Sequence, residues 1–240
     1  MTAFIGTAGW ALPADERSHF GEGASNLARY ATRFNCVEIN SSFYRRHRPS
    51  TWTRWGESVP EDFRFSVKLP KLITHIQRLK DCDDLIDEFA GDTHGLGSKF
   101  AVTLVQLAPK HVFDPALART FFAQLHSRVG AQTVCEPRHP SWFSPDADEV
   151  LATSGVARVA SDPAIVPLAS TPGGSPKVHY WRLHGSPVVY RSSYDFDAIC
   201  HYASEIKASM REAGTWCIFD NTASSAATAN ARQLHAALSR

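Results

Sequence analysis

The chain has 240 residues, 43% hydrophobic and 20% charged, a composition that suits an ordinary folded domain with a substantial core. Its 25 Lys and Arg against 24 Asp and Glu leave a formal net charge of +1, so no global field advertises nucleic acid or a cationic partner. Five scattered cysteines form no CxxC pair, no apolar run approaches a membrane span, and the first residues lack a basic-then-apolar leader; the expectation is a reduced, cytoplasmic protein with no membrane partner.

Residues 4–8 read as a first strand that opens into Gly9-Trp10, after which Leu27, Tyr30, Ala31 and Phe34 recur at helical spacing. Residues 36–40 are a second strand, and Pro49 starts a helix whose apolar face carries Trp52 and Trp55. Residues 63–68 are the third; a long connection with Lys71, Thr74, His75 and Arg78 leads to a helix marked by Leu85 and Phe89. Residues 102–107 are the fourth, and Asp114-Pro115 supplies the N-cap and first-turn proline of the helix bearing Leu117, Phe121 and Leu125.

The fifth strand, begun by Gln132-Thr133-Val134, runs into Cys135-Glu136-Pro137-Arg138-His139-Pro140-Ser141-Trp142, and Ser144-Pro145 then opens a short helix. Residues 156–160 are the sixth strand. Residues 164–176, rich in Pro, Gly, Ser and Thr, read as a loop where a helix would follow. Residues 178–184 form the seventh strand, Ile199, Tyr202, Ala203, Ile206 and Met210 an amphipathic helix, residues 216–219 the eighth strand, and Ala227, Ala231, Leu234 and Leu238 a closing helix.

About eight strand-helix alternations predict an α/β chain folded as one TIM (β/α)8-type closed parallel barrel over residues 1–240, with the helix after strand six replaced by a loop. A doubly wound open sheet is the alternative, but Gly91, Gly95 and Gly97 lack the GxGxxG spacing and precede a strand.

In such a barrel all strands end on one face, where sites are built. The strand ends supply Trp10, Glu38, Asn40, Lys68, Gln106, Glu136, Arg138, His139, Asp162, Arg182, His184, Asp220 and Asn221, with His75 on a neighbouring loop. Glu136 and Glu38 are the expected acid-base pair and His184 the proton carrier, since paired carboxylates in unlike surroundings divide those roles. Arg138, Arg182 and Lys68 are expected to bind an anion, and Asn40, Trp10, Gln106, His75, Asp220 and Asn221 to line the substrate.

Structural roles compete with each of these. Glu38 with Arg182 and Glu136 with Arg138 can be plain ion pairs, His139 and Asp162 turn residues before proline, Asp220-Asn221 a helix cap, and Trp142 and Trp181 core. Arg45-Arg46-His47-Arg48, beside Phe43 and Tyr44, keeps a nucleic-acid contact open. No HExxH, HxH or GxSxG is present, so the expectation is no metal, no cofactor and no serine nucleophile.

Several stretches resemble one family in order along nearly the whole chain. Gly6-Thr7-Ala8-Gly9-Trp10, Val37-Glu38-Ile39-Asn40-Ser41-Ser42-Phe43-Tyr44, Phe63-Arg64-Phe65-Ser66-Val67-Lys68 with Ile73-Thr74-His75, Arg138-His139-Pro140-Ser141-Trp142 and Arg182-Leu183-His184-Gly185 are similar to the DUF72 (YecE-like) proteins. The resemblance implies a TIM barrel and leaves the biochemical function uncharacterised. Pro137 stands where that family usually has an aromatic residue, and 219–225 departs from its F-N-N-D-x-x-G, so a role carried by the family's aspartate is either lost here or passes to Asp220.

Three functions follow as expectations. One is a hydrolase, lyase or isomerase working by acid-base chemistry on a small anionic, phosphorylated or sugar-like ligand; the others are a nucleic-acid- or phosphodiester-binding or metal-dependent nuclease-like barrel, and a non-catalytic ligand-binding barrel.

Overall fold

Short β-prone runs and amphipathic helices alternate along the computed structural model, which describes residues 3–239; Met1, Thr2 and Arg240, the ends of the 1–240 domain reading, lie outside the described residues. The first half runs β1 (Ala3–Thr7), α1 (Asn26–Tyr30), β2 (Cys36–Ile39), α2 (Pro49–Glu57), β3 (Arg64–Lys68), α3 (Asp83–Thr93), β4 (Phe100–Gln106) and α4 (Pro115–Arg128). The second runs β5 (Gln132–Glu136), α5 (Pro145–Thr153), β6 (Ala157–Arg158), β7 (Ala160–Asp162), β8 (Gly173–Gly174), β9 (Val178–Leu183), α6 (Phe196–Ser209), β10 (Gly214–Phe219) and α7 (Ala226–Leu238). The architecture is α/β, with parallel strands except where β8 pairs antiparallel with β6.

Local chemistry explains the helix starts. Asp114 Oδ1 accepts from the N–H groups of Ala116 and Leu117, both at 3.0 Å, ahead of Pro115, while Ser144 caps α5 and Asp195 caps α6 in the same way. The first helix is shorter than the periodicity predicts, ending at Tyr30, although Phe34 is still buried. Between β7 and β9 there is no α-helix; a single 3-10 turn at Pro167–Ser170 and the two residues of β8 fill the segment.

The ladders differ from the predicted closed sheet. They form two sheets, β1-β10-β9-β7 and β2-β3-β4-β5-β6-β8. The predicted sixth strand divides at Val159, so that β6 pairs with β5 and β7 with β9, and one run of chain passes from one sheet to the other.

At the opposite seam, between β1 and β2, side chains replace most of the ladder. Asn35 accepts from Ile5 N–H (3.2 Å) and donates to Ala3 C=O (2.8 Å), and Tyr30 Oη accepts from Thr7 N–H (2.9 Å) and lies 3.1 Å from Cys36 C=O. Backbone contact is made by Gly9 N–H to Glu38 C=O at 2.8 Å. Buried backbone groups need partners, and these two side chains supply them. Gly6 permits the approach, since a Cβ there would stand 2.3 Å from Cys36 C=O.

Alternation along the strands then builds the interior. Cys36, Val102, Leu104, Val134, Ala157, Val159, Val178, Tyr180, Trp216 and Ile218, drawn from both sheets, form one buried cluster, while the helices pack on a second, larger one. Stepping two residues onward from that inner cluster reaches Glu38, Gln106, Glu136, Arg182 and Asp220. The apolar floor thus rises directly into a charged layer.

Candidate functional site

Arg182, fully buried two residues beyond Tyr180 on β9, is the hub of that layer. Its guanidinium donates to Glu38 through Nη2 (2.6 Å to Oε1) and Nε (3.0 Å to Oε2), to Glu136 Oε2 through Nη1 (2.6 Å), and to Asp220 Oδ2 through Nη2 (2.9 Å). A planar fork of donors suits this task, and a lysine would reach only part of it. Burial opposes the charge, but Glu38, Glu136 and Asp220 together hold the Arg182 pKa well above its ordinary value.

Glu136 carries the most contacts. Its Oε2 also accepts from Gln106 Nε2 (2.9 Å), and its Oε1 meets Arg138 Nη2 (2.7 Å) and His184 Nε2 (2.9 Å). Burial alone would raise its pKa; Arg138, Arg182 and His184 outweigh that and hold the carboxyl well below the usual carboxylate range. Asp220 behaves alike: burial raises, while Arg182 and the hydrogen bond from His184 lower, and the balance is below 3.8.

His184 is fully buried between these two acids, with Nδ1 3.1 Å from Asp220 Oδ2 and Nε2 2.9 Å from Glu136 Oε1 and from Arg138 Nη2. A proton on either ring nitrogen therefore faces a carboxylate. Tyr190, half-exposed on the loop after β9, sets its ring at 90° against the imidazole, centroids 5.6 Å apart. Burial and then Asp220 raise its pKa.

Glu38 lies deepest. Besides Arg182 it accepts from the Tyr180 hydroxyl at 2.8 Å, and that hydroxyl lies 2.9 Å from Ser66 Oγ. Lys68 is 7% exposed, with Nζ 4.2 Å from the centroid of the Phe43 ring. Burial, then Arg182, push its pKa down to about 8 against the pull of Glu38, Glu136 and Asp220.

The expected residues thus fall into two groups. Glu38, Lys68, Gln106, Glu136, Arg138, Arg182, His184 and Asp220 converge on one layer, and the two ion pairs Glu38–Arg182 and Glu136–Arg138 are both present. Of the other four, Trp10, Asn40 and Asn221 lie outside it, while His75 borders it across Phe43, where burial and then Lys68 lower its pKa. Trp10 lies edge-on to Trp55 (5.1 Å) and, with Asn40, lines a separate cleft of about 380 Å³ with no charged side chain in its wall. His75 meets Thr74 Oγ1 (2.9 Å) and the edge of Phe43. Asn221 donates to Ser192 C=O and Asn230 Oδ1, tying the loop after β10 to α7 and the loop before α6.

Asp220 does not cap the last helix, whose N-cap is Ser225; its carboxylate is taken up by Arg182 and His184. His139 does cap a turn, accepting from Ser141 N–H at 3.2 Å, and Asp162 accepts from the Tyr194 hydroxyl at 2.7 Å. Trp142 and Trp181 are core. Within the basic run, Arg46 is engaged by Asp92 (2.8 Å) and Glu88 (2.9 Å). Tyr180, Ser66 and Tyr190 are the members that strand-end reading misses; the inward alternation through Arg182 would have found Tyr180.

Among the described residues no group of three or more His, Cys, Asp or Glu is set to hold a metal ion, and no helix is long and apolar enough to cross a membrane. The carboxylates instead turn their oxygens toward guanidinium groups.

Comparison with known proteins bears on the family and the fold. The UPF0759 protein YecE of Escherichia coli K12 is 32% identical over 154 residues, which are 64% of this chain and 54% of that protein, so the chain spans about half the length of this curated relative. A DUF72 family protein from Thermotoga maritima MSB8, solved at 2.20 Å, superposes with a TM-score of 0.81 at 21% identity over 100% of both chains. D-psicose 3-epimerase from Clostridium cellulolyticum H10, crystallised with D-tagatose, gives 0.54 at 9% identity over 100% of this chain and 97% of that one, a likeness of fold alone. With the model of "Protein of unknown function DUF72" matching residues 4–240, the chain belongs to the DUF72 family.

Proposed function

We propose that the chain is an enzyme performing acid-base chemistry, as a hydrolase, lyase or isomerase, on a small anionic, phosphorylated or sugar-like molecule bound where the strands end. The observation that carries this reading is His184, held between Glu136 and Asp220 with a carboxylate on each ring nitrogen. A histidine so placed can take a proton at one nitrogen while its orientation is fixed at the other. Glu136 is its partner, and Glu38, committed to Arg182 and Tyr180, serves to position the guanidinium.

Charge favours an anion. Three carboxylates, Glu38, Glu136 and Asp220, face three cations, Arg182, Arg138 and Lys68, so a proton on His184 makes the layer positive and an anionic ligand offsets it. Arg138, with 19% of its side chain exposed, is the cation best placed to meet that ligand.

The finer reading of the fold is a single domain and a (β/α)8 barrel, with its two sheets joined by Asn35 and Tyr30 at one seam and by residues 157–162 at the other. The common inner cluster supports it. A cytoplasmic location fits five free cysteines, four of them buried.

The test is a thermal-shift screen of phosphorylated metabolites, keto acids and sugars on the purified protein, followed by turnover assays of the binders. His184→Asn and Glu136→Gln should each lower turnover by about 10²-fold or more while ligand binding persists. Unchanged turnover in both would overturn the reading, and stoichiometric binding without turnover would make this a ligand-binding protein.

A further inference from the structure

One cation in the charged layer has no partner. Lys68 is 7% exposed, yet among the described residues its ammonium makes no hydrogen bond and no ion pair, and its nearest defined contact is the face of Phe43 at 4.2 Å. The acceptors around it are already engaged: Glu38 by Arg182 and Tyr180, Glu136 by Arg182, Arg138, Gln106 and His184, Asp220 by Arg182 and His184. The nitrogen itself keeps contact with solvent, so a small molecule arriving at the strand ends can reach it.

The surroundings favour proton loss. Desolvation and the fixed charge of Arg182 bring the Lys68 pKa to about 8, with Glu38, Glu136 and Asp220 pulling the other way. Lysine amines become nucleophiles when desolvated or set beside another cation. Lys68 has both conditions, and it projects from a strand end into the layer that holds His184.

We propose that Lys68 is a covalent nucleophile that condenses with the carbonyl group of a small anionic aldehyde, ketone or keto acid to form an iminium ion at the strand-end face. This rests on the acid-base reading above for its proton transfers, and it narrows that reading from three reaction classes to lyase or isomerase. The lone pair of the neutral amine attacks the carbonyl carbon; a C–N bond forms, the carbonyl π pair moves to oxygen, oxygen takes a proton and nitrogen loses one, giving a carbinolamine. A second proton on that oxygen lets the C–O bond break and water leave while the nitrogen lone pair closes C=N⁺. One amine, one carbonyl and one proton thus become one iminium and one water.

Each group needed is in the same layer. In this step His184 hands protons to the departing oxygen and Arg138 meets the anionic group, the two being brought together at Glu136 Oε1, 2.9 and 2.7 Å away. The iminium draws electrons from the neighbouring carbon, so a C–H or C–C bond there becomes the one to break.

The experiment uses the full chain with pyruvate or dihydroxyacetone phosphate and sodium cyanoborohydride near pH 8, followed by peptide mapping by mass spectrometry. Reduction should fix a secondary-amine adduct on Lys68 at least about tenfold in excess over the exposed Lys71 and Lys110, because a lower pKa leaves more of the amine neutral. Lys68→Arg keeps the charge and should lose the adduct. If that variant does not fold, the wild-type map decides alone, and labelling of Lys68 no faster than of Lys71 and Lys110 with both probes overturns the proposal. Absence of the adduct while Glu136→Gln still abolishes turnover would sink the lysine chemistry alone; a Lys68 adduct with Glu136→Gln harmless would support it and remove the acid-base reading.

Discussion

Arg182 and Glu38 form a two-pronged ion pair, Nη2 to Oε1 at 2.6 Å and Nε to Oε2 at 3.0 Å, with both side chains fully buried. It joins β9 in one sheet to β2 in the other, two strands that share no ladder. Removing one partner leaves the other charge stranded, at a cost of about 3–5 kcal/mol. Arg182→Met should exceed Glu38→Gln in urea unfolding, since it strands three carboxylates at once. Losses under about 1 kcal/mol for Arg182→Met would mean that water reaches this layer and screens it.

Acid should unfold the protein through Glu136 and Asp220. Their folded pKa values are lowered, so the unfolded chain binds more protons in acid; the stability they contribute is full above the unfolded values and is lost as pH falls through the folded ones. Glu136→Gln should therefore be less stable at neutral pH and show a shallower decline between about pH 5 and about pH 2. Parallel declines in wild type and variant would refute the coupling.

Lys68 acts in the opposite range. Its folded pKa of about 8 lies below the ordinary 10.5, so between those values the unfolded chain holds the extra proton and stability rises with pH. Lys68→Met should flatten that rise and stabilise the protein at neutral pH by roughly 2–4 kcal/mol, at about 1.4 kcal/mol per unit of lowered pKa. Chemical denaturation at a series of pH values measures both effects, and a variant curve that keeps the rise would count against them.

The loop carrying Tyr190 is anchored by another tyrosine. Tyr194 Oη donates to Asp162 Oδ2 (2.7 Å) and accepts from Gly185 N–H (2.9 Å), linking both ends of the loop to the end of β7. Tyr194→Phe orphans both groups and should cost about 1–3 kcal/mol. Amide exchange at Gly185 should quicken in step; a stable variant with unchanged exchange would show the loop to be held elsewhere.

Much of this was legible in the sequence because strands announce themselves as short apolar runs and their last inward residues are polar. Glu38, Glu136, Arg182, His184 and Asp220 all lie at such ends, and the α/β alternation places them together. What was not legible depends on partners far away in the chain. Asn35 and Tyr30 fill a seam whose other wall is Ala3–Thr7, and nothing near either residue marks that task. Residues 156–160 read as one uniform strand, since period-two alternation says which face a residue takes but not which neighbour each half will pair with. Tyr190 sits in a loop without periodicity, so only the folded chain shows it lying on His184.

The division of the strands between two sheets also orders them in time. Strands β2 to β6 pair with sequence neighbours, whereas β1 pairs with β10, Ala3 facing Thr215 across more than two hundred residues. During synthesis the second sheet can assemble as it emerges, while β1 waits with an unpaired edge for nearly the whole chain. Asn35 and Tyr30 emerge soon after β1 and bond the side that faces β2, so the side left open is the one that β10 takes.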